Sequence, residues 1–124
     1  MNFASVRLVT NDFERLVSFY ERLSGQPATQ LADGFAEVRL EGATLAISAE
    51  QLIQRFNAGA ARAAANQSAI LEFEVDDVGA VHDRMGSVAE VVMPPTVMPW
   101  GNHSLLIRDP DGSLVNVFSK PAKR

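Results

Sequence analysis

One pattern runs through this chain twice: a strand, a helix, then three more strands. The segment "FASVRLVT" (3–10) alternates, with Val6 and Leu8 on one face and Ser5, Arg7 and Val9 on the other. "DFERLVSFYERLSG" (12–25) then changes to helical spacing. Phe13, Leu16, Val17, Tyr20 and Leu23 form its apolar stripe, Asn11 or Asp12 caps its start, and Gly25 ends it. Strands follow around 28–31, at 35–40 and at 43–48, with Asp33-Gly34 and Glu41-Gly42 as turns. "AEQLIQRF" (49–56) is predicted as a short helix. After the Ala-rich segment "NAGAARAAANQS" (57–68), which has no apolar stripe, the order restarts. A strand at 69–75, a helix at 76–86, a strand at 88–93, a Pro-rich loop at 94–101 and strands at 103–108 and 113–118 complete it. Thr10-Asn11-Asp12-Phe13 falls on Val75-Asp76-Asp77-Val78 at an offset of 65 residues. Leu45-Ala46-Ile47 falls on Val115-Asn116-Val117 at an offset of 70, the difference being absorbed in loops.

A duplication of this kind restricts the fold class to α+β. It predicts a single domain, 1–124, of two βαβββ modules, 3–56 and 69–119, joined by the connector 57–68. The modules together form a curved mixed sheet around a concave cavity, with helices on the outer face. The helix-covered core is Val6, Leu8, Leu45, Ile47, Leu71, Phe73, Val115 and Val117. The other face carries charge, hydroxyl, amide and aromatic groups from Ser5, Arg7, Ser48, Glu72, Glu74, Asn116 and Phe118, among others. Asn116 sits between Val115 and Val117 and is therefore turned away from the core.

Bulk properties narrow the function. A chain of 124 residues with 47% hydrophobic residues is long enough to bury a core. No apolar run approaches the roughly 20 residues of a bilayer span, and "MNFASVRLVTNDF" lacks the pattern of a signal peptide. A net charge of −4 disfavours nucleic acid as a partner. The basic "KPAKR" at the C-terminus is expected to be a solvated tail. With no cysteine there is neither disulfide nor thiolate chemistry, and a cytoplasmic location is the default.

The front "VRLVTNDFERLVSFYERLSG" and the later "MPWGNHSLLIRDPDGSLVNVF", with this order of elements between them, resemble the vicinal oxygen chelate superfamily of glyoxalases, extradiol dioxygenases and bleomycin-resistance proteins. The resemblance spans roughly residues 3 to 119. It implies a homodimer. It also implies four inward-facing strand positions at which metal enzymes of the superfamily carry His, Glu or Gln. In this chain the motifs put Ser5, Ala46, Ile70 and Asn116 there. Ala46 and Ile70 have no donor atom, so no metal or other cofactor is expected at that place.

Beside a purely structural or interaction role with the cavity filled, two functions follow. One is a metal-free binding module holding a small organic ligand through Ser5, Arg7, Ser48, Trp100, Asn116 and Phe118. The other is a lyase, isomerase or dioxygenase using a metal or acid/base residues at a non-standard place. For it the candidates are Glu72 and Glu74, two carboxylates at i, i+2 on one face, and His103, next to the Trp100 loop. Against catalysis, Arg7, Glu37, Arg39 and these glutamates can form a charge network instead. His82 is read as a surface histidine on the second-module helix, and Phe35 as structural.

Overall fold

The computed structural model describes residues 1–121. The elements are β1 (Ser5–Thr10), α1 (Phe13–Ser24), β2 (Thr29–Ala32), β3 (Phe35–Leu40), β4 (Ala43–Ala49), α2 (Glu50–Phe56), β5 (Ile70–Glu74), α3 (Val78–Met85), β6 (Glu90–Val97), β7 (His103–Arg108) and β8 (Leu114–Ser119). The chain divides into two compact units, Met1–Ala65 and a second starting at Asn66. Each unit has one four-stranded sheet, in the orders β1-β4-β3-β2 and β5-β8-β7-β6. In each, the first pair is parallel and the other pairs antiparallel. The fold is α+β, with the expected mixed sheet present as two sheets of one topology.

Strand register carries the duplication further than sequence alignment does. Ser5 lies opposite Thr44 in unit 1, and Ile70 opposite Leu114 in unit 2. Offsets of 65 and 70 residues then relate every pair from Ser5–Val9 to its counterpart in Ile70–Glu74. The helix caps repeat as well. Asp12 Oδ1 accepts from the Arg15 N–H at 3.2 Å, and Asp77 Oδ1 from that of Ala80 at 3.1 Å. Each cap contributes about 1 kcal/mol. Gly25 ends α1 in the left-handed conformation at φ 70°, which costs a residue without Cβ nothing.

Each core lies between a sheet and one helix. In unit 1, Leu16, Phe19, Tyr20 and Leu23 of α1 are buried with Ala36, Val38, Leu45 and Ile47 of β3 and β4. The Phe19 and Tyr20 rings meet edge to face at 5.1 Å. In unit 2, Val78, Val81 and Met85 of α3 are buried with Leu105, Ile107, Val115 and Val117 of β7 and β8. A side chain of this size contributes about 1.5–3 kcal/mol when fully buried.

Some expectations change. Val6, assigned to the core, is 38% exposed, whereas Leu8 and Thr10, farther along the same face of the outermost β1, are buried. Leu71 and Phe73 on the outermost β5 are only half-buried. Phe19, outside the predicted stripe, is buried. The segment 94–97 is not loop: β6 runs through Pro94 and Pro95 to Val97. An outermost strand tolerates proline because one side of its backbone needs no hydrogen bonds, and the pairing with β7 shifts register on the way.

One helix departs from the outer face. α2 starts where β4 ends and folds back, so that its C-cap Asn57 meets Arg7. Arg7 is in register with Ala46, on the face opposite α1, so α2 covers that face. In the connector, Glu50 Oε2 accepts from the Ala63 N–H, and Asn66 bonds the Ala69 backbone and Ser113 Oγ. Of the "KPAKR" tail, Lys120 pairs with Glu74 at 3.6 Å, and Ala122–Arg124 lie outside the described residues.

Candidate functional site

The face of unit 1 away from α1 is largely closed by the chain itself. Its central row is Arg7, Ala46 and Glu37, and the next is Val9, Ser48 and Phe35. Ala46 and Ser48 are 2% and 0% exposed, although alternation assigns them to the open face. The Ser48 hydroxyl is turned to the Ala49 carbonyl at 3.3 Å. Arg7 donates from Nη2 to Asn57 Oδ1 at 3.1 Å, and its guanidinium lies 5.7 Å from the Phe35 ring centroid. That geometry is a cation–π contact supported by a hydrogen bond. Ser5 is exposed four residues along the sheet from the Ser48 row, about 13 Å away at strand rise. Ser5 and Ser48 therefore do not meet.

The equivalent face of unit 2 is built differently. Its central row is Glu72, Asn116, Leu106 and Met93, in register across β5, β8, β7 and β6. Asn116 donates from Nδ2 to Glu72 Oε2 at 2.9 Å. The next row sets Glu74 beside Phe118 and Ser104. Glu74 is paired with Lys120, and Glu37 with Arg39 at 3.0 Å on its own strand. Within each unit these contacts are separate pairs. Glu72 and Glu74 do share a face, as alternation predicts.

Two candidates stand elsewhere. His103 shares a face with Leu105 and Ile107, the helix-covered side, and is in register with Ser119. It does not join Glu72 and Asn116. His82 is half-buried on α3. Trp100 is 69% exposed in the β6–β7 turn, where the Gly101 N–H bonds the Met98 carbonyl at 2.8 Å. Phe118, opposite Ser104, lies toward that end of the sheet.

The four positions implied for a metal do not suit one. Ala46 and Ile70 present carbon only, and Asn116 already has Glu72 as partner. Among the described residues, no three His, Cys, Asp or Glu side chains group as metal ligands. A divalent ion takes nitrogen and oxygen donors from several side chains at once. The residues present do not fit that group.

The model of the Glyoxalase/Bleomycin resistance protein/Dioxygenase superfamily matches residues 2–117. The chain belongs to this superfamily. Its register-matched modules are one solution to that shared fold. A glyoxalase-related enzyme from Fulvimarina pelagi is similar at TM-score 0.83 and 21% identity, over 97% of this chain and 88% of the other. A glyoxalase/bleomycin resistance protein/dioxygenase from Nocardioides is similar at 0.79 and 22%, over 100% and 86%. One from Burkholderia phytofirmans matches at 0.79 and 13%, over 96% and 98%. At these identities the likeness is one of fold. No curated protein matches the chain.

Three residues of these faces escape the sequence reading. Asn57, just past α2, is the partner of Arg7, and only its position as a helix-terminal Asn hints at a role. Leu106 and Met93 complete the Asn116 row. Alternation along "HSLLIR" is enough to place Leu106 there. Met93 needs the observed register, because β6 is irregular.

Proposed function

We propose that this superfamily member is a small-molecule binding protein that works without a metal at the four strand positions, as a cytoplasmic homodimer. The observation that carries the proposal is the pair Ala46 and Ile70, which put carbon where metal enzymes of the fold need donor atoms. Asn116 remains as a neutral hydrogen-bonding group held by Glu72. Holding a ligand requires affinity only, and no charge has to be stabilised in a transition state. Within unit 2, Asn116, Phe118 and Trp100 offer the mixture of planar apolar surface and few polar groups that organic ligands use. Membership of the superfamily supports the homodimer, and no described helix is long and apolar enough to cross a membrane.

Native mass spectrometry of untagged protein tests this directly. The expected spectrum shows twice the chain mass with an organic adduct and no stoichiometric metal. A tightly held divalent ion, or failure of any organic molecule from a cell extract to remain bound, overturns the binding function. A monomer mass overturns the dimer.

A further inference from the structure

We infer that the open face of unit 2 recognises the cationic, N–H-donating end of a flat organic molecule: an amidinium, guanidinium or protonated aminoheterocycle on an apolar ring. The inference rests on the small-molecule function proposed above and names its ligand class.

The Asn116–Glu72 bond fixes more than a distance. An amide has two N–H donors and one carbonyl acceptor, and a carboxylate accepts only. With one Nδ2 hydrogen committed to Glu72 Oε2 at 2.9 Å, Asn116 keeps its second N–H and Oδ1 as an acceptor, and Glu72 keeps Oε1. The row thus presents two acceptor oxygens and a carboxylate charge, beside the one N–H that Asn116 has left. Other charges of this sheet are already neutralised: Glu74 by Lys120, and Glu90 by Arg108 at 3.0 Å. Among the described residues Glu72 has an amide for its partner and no cation.

The surroundings are apolar. Leu106 and then Met93 follow Asn116 across the sheet, while Leu114 and Phe118 flank it along β8. A head group with parallel N–H donors and positive charge satisfies the carboxylate in the way guanidinium groups do. Its ring then covers Leu106 and Phe118. An anionic head would meet Glu72 with like charge. The duplicated row in unit 1 cannot do the same, since Ala46 replaces the amide and Arg7 brings the opposite charge. The site therefore belongs to one copy of the module.

The test is an NMR titration of the full chain with benzamidine, benzamide and benzoate, which share one ring and differ in head-group charge. The side-chain amide of Asn116 and the backbone amides of β8 report binding. Benzamidine is expected to shift them saturably and to bind roughly tenfold tighter than benzamide, the difference between a charge-assisted and a neutral hydrogen bond. Glu72→Gln is expected to remove that preference while the rest of the spectrum stays dispersed. If benzamide or benzoate bound there as tightly as benzamidine, the cation preference would be overturned and the small-molecule function would stand. If none of the three moved those resonances, the site itself would be overturned. The broader function fails by a separate route, the mass spectrum without an adduct.

Discussion

Replacing Asp109 in the turn before β8 should destabilise unit 2 more than any surface position in the same loop. Asp109 is 4% exposed. Its Oδ1 accepts from the Asp111 N–H at 2.9 Å and from the Ser113 N–H at 3.0 Å. Its backbone also closes the turn, with its N–H bonding the Ser113 carbonyl and its carbonyl accepting from Gly112. Hydrogen bonds to a charged group contribute about 1.5–3 kcal/mol each, and Asp109→Ala leaves the Ser113 N–H buried without its acceptor. The backbone bonds survive and the loop can relax, so a loss of about 3 kcal/mol is expected. That is a large fraction of the roughly 5–15 kcal/mol that holds a domain folded. Asp109→Asn keeps an oxygen for both N–H groups and gives up a buried charge, so its loss should be about 1 kcal/mol. Urea unfolding followed by far-UV circular dichroism measures both. Amide exchange at Asp111 and Ser113 locates the effect. If Asp109→Ala fell within 0.5 kcal/mol of wild type, or if Asn were no better than Ala, the turn would not depend on these two bonds.

Three further outcomes follow from the same structure. Ala58 and Ala64 stand at φ 57° and 56°, so glycine at either site should raise stability by about 0.5–1 kcal/mol, measurable as a higher unfolding midpoint. Gly101→Ala should lower that midpoint, since φ is 95° and a Cβ would lie 2.7 Å from Pro121 Cγ; the strain is about 1–2 kcal/mol before Pro121 shifts. Arg7→Met should speed amide exchange at the end of α2 without changing exchange in α1, because Asn57 loses its partner on β1.

The sequence made the repeat legible because alternation, helical stripes and Asp caps are local signals. Asp12 and Asp77 take the cap positions that their order in the chain suggests. Leu45, Ile47, Val115 and Val117 are buried as period-two alternation requires. Position within a sheet is not local, and there the reading fell short. Val6 alternates like Leu8 on the same strand, yet it lies nearer the strand's start and stays open while Leu8 is buried. Ala46 and Ser48 belong by alternation to the open face, and a helix that folds back over them makes them buried. The Asn116 orientation was legible from its two valine neighbours; its bond to Glu72 needed the register of two strands 44 residues apart. His103 is close to Trp100 along the chain, but alternation from Leu105 turns it to the other side.

The two prolines of β6 bear on how this chain behaves in a crowded cell. β6 is the last strand of its sheet, the place where an extended segment from another molecule would add. Pro94 and Pro95 have no N–H to offer such a segment, and the register shifts around them spoil the regular spacing it would need. The matching strand of unit 1, β2, is four residues long and irregular in its pairing. A duplicated sheet doubles the number of ends from which aggregates can grow. Of the four outermost strands β1, β2, β5 and β6, the strands β6 and β2 are poor templates, one by chemistry and one by brevity.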